Sequence, residues 1–151
     1  MAKVPTQRAS ARLAAAQALY QMDVTGKGVN EVFAEFETYW IGQEVEGEQY
    51  LPAEIAFFRD IVGGVLKDQV SIDRAIDASL VQGWPLARIE ALMRAILRAG
   101  TYELKKRKDV PPKVCISEYV DVASAFFGRE ESGMINAVLD VLARQERPDQ
   151  F

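Results

Sequence analysis

The sequence predicts an all-α fold, a compact single domain of seven helices arranged as two small bundles that share one long central helix. Apolar residues recur at three- and four-residue spacing along most of the chain, which is the period of a helix face. Prolines and glycines fall where those periodic segments begin and end. No alternating run or tight-turn signal competes for a strand. At 151 residues with 49% hydrophobic and 26% charged side chains, the chain can bury a core without disulfides or metals.

Between Pro5 and Gly26, Ala9, Leu13, Ala16 and Tyr20 recur at helical spacing in an alanine-rich setting, and this is the first helix. Asn30 is suited to cap a second helix whose apolar face is Val32, Phe33, Phe36, Tyr39 and Trp40, ending near Gly42. Pro52, at a first turn, opens a third helix carrying Ile55, Phe58, Val62, Val65 and Leu66. Its Gly63-Gly64 pair costs about 1 kcal/mol of helix propensity per residue, which predicts a close helix crossing there. Ser71 is placed to cap a fourth helix with Ile72, Ile76 and Leu80, ended by Gly83. Pro85 starts the long fifth helix through Arg107, whose stripe is Leu86, Ile89, Met93, Ile96, Leu97, Gly100 and Leu104. Pro111 and Pro112 stop it, because neither donates a ladder hydrogen bond. A sixth helix is expected from about Lys113 to Phe127, and a seventh from about Glu131 to Gln145 with Met134, Ile135, Val138, Leu139 and Leu142 apolar.

The side-chain inventory excludes much chemistry. Histidine is absent and Cys115 is the sole cysteine, so imidazole catalysis, a Cys/His zinc site and an internal disulfide are excluded for this chain. No catalytic residue, metal site or cofactor is expected. The N-terminus lacks a secretory pattern and no apolar run is long enough to span a bilayer, which predicts a cytoplasmic protein with no membrane partner.

A net charge of −4 argues against nucleic acid, but its distribution matters more than its sum. From Met1 to Tyr20 the only charged side chains are Lys3, Arg8 and Arg12. From Asp23 to Asp60, nine carboxylates face only Lys27 and Arg59. A second basic cluster runs Lys105, Lys106, Arg107, Lys108, with Lys113 beyond the prolines. Cations in the first turns of a helix oppose its macrodipole, so Arg8 and Arg12 suggest that an anion is expected there. The bland alternative, a solvated helix face, stands beside that reading. For Lys105 to Lys108 it is stronger still, because cations in a last turn are favoured by the dipole.

Three blocks, ARLAAAQALYQMDV, RAILRAGTYELKKRKDVPPKVCISEYVDVASAF and GMINAVLD, together with FFRDIVGGV at 57 to 65, resemble the NusB family in the same order. The resemblance implies a helical transcription antitermination factor that binds the boxA element of single-stranded RNA. It implies the ribosomal protein NusE as partner, and an RNA polymerase antitermination complex that reads through terminators in ribosomal RNA operons. On this resemblance RNA contact is expected at Lys3, Arg8, Arg12, Gln17 and Lys113, and partner contact at Glu130, Glu131 and Met134. The N-terminus carries Ala9 and Ser10 where further arginines stand in richer members. Met134 stands in place of a phenylalanine, and its flexible thioether can still fill an apolar groove.

Two rival classes share parts of this pattern. The same module forms the N-terminal domain of ribosomal RNA cytosine methyltransferases, which need a further α/β domain with a cofactor loop and a nucleophilic cysteine; these residues carry neither. A self-associating scaffold would use the aromatic second helix and the Met134 region as a homodimer surface. Glu118 and Asp121 could pair for metal or proton chemistry, but a solvated structural role is the expectation. Asn136 is expected to donate across a helix interface, Cys115 to fill the core, and Tyr102 and Tyr119 to be partly buried.

Overall fold

The protein's structure, a computed structural model, describes residues 7–37, 52–80 and 89–151. Helix α1 (Gln7–Thr25) is buried through its alanines: Ala11, Ala14, Ala15, Ala16 and Ala18 have no exposed surface. Side chains this small let two neighbouring helices approach its backbone. That shifts the buried face from the expected one, leaving Leu13 half-buried and Tyr20 exposed. The helix ends as expected at Gly26, whose φ of 75° is left-handed and whose N–H reaches the Met22 carbonyl at 2.9 Å.

Helix α2 (Val29–Phe36) starts one residue before Asn30, which is therefore not its cap; Gly28 holds that place without a side-chain bond. Phe33 and Phe36 pack on Phe58 at ring-centroid distances of 5.6 and 5.7 Å. Tyr39, Trp40 and Gly42 lie outside the described residues, as do Gly83, Pro85 and Leu86.

Helix α3 (Pro52–Ser79) joins the expected third and fourth helices into one. Ser71 caps nothing, and the break is instead a bend at Asp68 (φ −111°, ψ 20°). Val65 before the bend and Ile72 and Ile76 after it are all buried. Continuity of that apolar face outweighs the local capping preference of a serine. Among the described residues the helices thus number six rather than seven, with a short 3₁₀ turn at Pro148–Gln150 that the sequence did not suggest.

Helix α4 (Ala91–Lys106) is the central element, beginning at Glu90, whose carboxylate accepts the Leu92 N–H at 3.3 Å. It packs against α1 and α3 on one side and, on the other, against α5 (Pro112–Ser124) and α6 (Arg129–Glu146). These are the two bundles and their shared helix. No strand occurs among the described residues, and no helix there is long and apolar enough to cross a membrane.

The α3–α4 crossing explains half of the glycine pair. A Cβ on Gly64 would lie 2.1 Å from the Tyr102 ring, whereas one on Gly63 would meet nothing within 4 Å. The Tyr102 hydroxyl donates to Asp60 at 2.7 Å, and burial followed by that bond pushes its pKa up to about 12. Gly64→Ala must therefore displace an anchored ring and is expected to cost about 1–3 kcal/mol. Gly63→Ala, at a helical position with open space, is expected to stabilise by about 0.4–1 kcal/mol. Urea unfolding of the two variants checks the opposite signs.

Candidate nucleic-acid interface

The first turn of α1 carries no acidic side chain. Arg8 therefore stands at the positive end of a helix dipole with no carboxylate in its own turn, and its side chain is 48% exposed. Its guanidinium lies 4.6 Å from the centre of the Phe57 ring and donates to Asp109 at 3.3 Å. Arg8 and Arg12 line one cavity together with Asp109, Val110, Pro111, Val114 and Glu118. The N-terminus of α1, the loop after α4 and the first turns of α5 thus meet at one place. Lys113, exposed, precedes the cavity-lining Val114 in the first turn of α5.

Arg12 lies under this surface rather than on it. Its side chain is 3% exposed, and Nε and Nη2 grip Glu103 at 3.0 and 2.6 Å. Burial works against the charge, but the bonds to Glu103 outweigh it and hold the guanidinium pKa above its ordinary value. Only Nη1 faces outward, 3.9 Å from Glu118, whose side chain is 26% exposed. Glu118 is thus a structural carboxylate at the cavity wall. The Tyr119 hydroxyl, buried beside the pair, makes no hydrogen bond among the described residues, and burial followed by the Glu103 charge raises its pKa well above normal.

Gln17 is half-buried further along α1 and does not line the cavity, while Lys3 lies outside the described residues. The basic turn after α4 is less available than its charge suggests. Lys105 donates to Ser71 at 3.2 Å, and Arg107 holds Asp109 with Nε at 3.1 Å and Asp60 with Nη1 at 3.2 Å. Lys106 and Lys108 are exposed. Phe57, Asp60 and Asp109 had no assigned place in the site from sequence. Phe57 backs three guanidiniums at once, with Arg12 at 5.1 Å and Arg107 at 4.9 Å beside Arg8. Nothing in helical periodicity separates such a ring from an ordinary core aromatic.

Beyond the C-terminal end of α5, Glu130 is exposed in the first turn of α6, Glu131 is partly exposed, and Met134 is half-buried against the core. A groove between α5 and α6 is lined by Val120, Ser124, Phe127, Arg129, Ser132 and Asn136 among others. Asn136 is exposed on that groove, so it does not make the buried interhelical bond expected of it. Cys115 is fully buried, as expected, and burial raises its thiol pKa.

A family model described as the NusB family matches residues 9–144. The transcription antitermination protein NusB of Bradyrhizobium sp. (strain BTAi1) is 66% identical over 145 residues, covering 96% of this chain and 86% of its own length. That of Rhodopseudomonas palustris (strain HaA2) is 64% identical over 145 residues, with the same coverage of 96% and 86%. Among solved structures, T. maritima NusB superposes with a TM-score of 0.81 at 26% identity, covering 98% of this chain and 99% of that one. A chain in a complex of antitermination factors NusB and NusE with dsRNA has the same fold, with a TM-score of 0.77 at 22% identity over 92% and 97% of the two chains. By family match, close relatives and fold together, the chain belongs to the NusB family.

Proposed function

We propose that this protein is a noncatalytic cytoplasmic adaptor that binds boxA RNA together with the ribosomal protein NusE, promoting readthrough by RNA polymerase in ribosomal RNA operons. The observation that carries the reading is the exposed Arg8 at an acid-free helix start, sharing a cavity with the loop that leads to Lys113. Arg8 and Lys113 would bond phosphate oxygens, and the Arg8 guanidinium would also stack on unpaired bases, with Lys3 and Gln17 extending the contact along α1. Arg12 would act from beneath, fixing the cavity floor. That a solved relative binds NusE and RNA together supports the same pairing here. Glu130, Glu131 and Met134 would contribute to the NusE surface, and a second copy of the chain is the alternative occupant, distinguished by light scattering.

An acidic protein with few free cations gains from a partner that widens its RNA groove. Anisotropy titration of a boxA oligonucleotide is therefore expected to give weak binding to the chain alone and at least tenfold tighter binding with NusE. Arg8→Ala should weaken the complex about three- to tenfold and flatten its salt dependence. Equal affinities with and without NusE, or an Arg8 variant that binds unchanged, would contradict this account.

A further inference from the structure

The cavity is not electropositive by itself. The three guanidiniums of Arg8, Arg12 and Arg107 are matched by four carboxylates, Glu103, Asp60, Asp109 and Glu118. Two of these carboxylates are otherwise engaged: Glu103 is fully buried on Arg12, and Asp60, half-buried, also accepts from the Tyr102 hydroxyl. Asp109 differs. Its side chain is 52% exposed at the cavity, and it occupies the outward arginines: Oδ2 accepts from Arg8 at 3.3 Å and from Arg107 at 3.1 Å, while Oδ1 accepts from Arg107 at 3.1 Å. Two oxygens across one guanidinium fork is the arrangement a phosphate would take.

We propose that Asp109 is an internal competitor for RNA phosphate, a carboxylate that RNA must displace from Arg8 and Arg107 and that therefore sets the affinity of the site. The proposal rests on the RNA-binding reading above and specifies how that binding is limited. The backbone holds the carboxylate at its post. The Val110 N–H bonds the Arg107 carbonyl at 3.1 Å, Val110 is buried, and its own carbonyl accepts from the buried Arg147. Pro111 and Pro112 follow directly. The loop cannot swing away, so only side-chain rotation of Asp109 clears the site.

The arginines do not need Asp109 to stay in place. Arg107 keeps Asp60, and the Phe57 ring backs both Arg107 and Arg8. Neutralising the carboxylate should leave two pre-positioned forks open to phosphate. A partly exposed ion pair is worth little, so a backbone phosphodiester, singly charged like the carboxylate, can replace it at modest cost. RNA affinity is thereby held down without abolishing binding.

The test is titration of labelled boxA RNA against the full chain in its complex with NusE, over roughly 50–200 mM salt, for wild type, Asp109→Asn, Asp109→Ala, Arg8→Ala and the Arg8→Ala/Asp109→Asn double variant. Both Asp109 variants are expected to bind about three- to tenfold tighter at the low-salt end. Their slope of log affinity on log salt should steepen by about 0.7, one more neutralised phosphate on a single strand. Most of the gain should vanish in the double variant. Asp109 variants that bind as wild type or more weakly, while Arg8→Ala still weakens binding, overturn the competitor and leave the site standing. An Arg8→Ala chain that binds as wild type overturns the site and the competitor together.

Discussion

Arg12→Ala is expected to lower stability by about 3–5 kcal/mol, a larger loss than any effect it has on RNA affinity. The reason is the state of Glu103 after the change. Its side chain has no exposed surface, and in the intact protein it receives Arg12 through three contacts of 2.6–3.1 Å. Removing the guanidinium leaves a carboxylate with neither water nor a counter-charge, at the junction of α1, α4 and α5. Solvent screening gives no relief at 3% and 0% exposure. At this chain length such a loss lowers the melting temperature by roughly 10 °C or more. Arg12→Lys should recover only part of it, because a point charge cannot reproduce the two-pronged grip. Replacing both partners with apolar residues of similar volume, Arg12→Met with Glu103→Leu, should recover most of it, since no buried charge is then left alone. An Arg12→Ala protein that melts like the wild type would show a guanidinium free of its partner, and would restore Arg12 to the RNA surface.

The contrast between Arg8 and Arg12 marks where the sequence could and could not be read. Both lie on one face of α1, and four-residue spacing shows that much. What places one at the surface and the other under it is Glu103, 91 positions away, and Asp109, 101 positions away. Local periodicity carries no information on such pairs. Local chemistry did give the start at Pro52, the stop before Pro111 and Pro112, the stop at Gly26 and the close approach at Gly64, each fixed by a backbone constraint of the residue itself. It misled at Ser71 and Asn30, where a capping preference worth about 1 kcal/mol yields to continuous apolar packing on neighbouring turns. The acid-free first turn of α1 was legible because it is a property of adjacent residues. That Asp109 neutralises it was not, since nothing in the local sequence ties an aspartate after Lys108 to an arginine of the first helix.

Arg147→Ala is the second change with a large expected effect, about 3 kcal/mol, although Arg147 lies beyond the last helix. The side chain is 2% exposed and its bonds all go to backbone carbonyls. Nε donates to Leu104 at 3.0 Å, and Nη2 donates to Glu103 at 3.2 Å and to Arg107 at 2.6 Å; Nη1 donates to Val110. These carbonyls belong to the last turn of α4 and the loop that follows, where the helix dipole is negative; those of Glu103 and Arg107 also accept the Arg107 and Val110 N–H groups, whereas those of Leu104 and Val110 rely on Arg147. A buried cation without a carboxylate is tolerated here because several oriented dipoles replace one. Truncation to alanine removes the cation and strands the carbonyls of Leu104 and Val110 away from water, each at about 1–3 kcal/mol. Arg147→Met, which keeps most of the packed stem, should lose nearly as much, and this separates the hydrogen bonds from the packing. The same bonds hold the segment that carries Asp109 and leads to Lys113, so hydrogen exchange at the Val110 amide should accelerate in both variants, and RNA affinity should fall in step. If Arg147→Met matched the wild type in urea unfolding and in exchange, the carbonyl cluster would not be what fixes this loop, and the cavity would owe its shape to the two prolines alone.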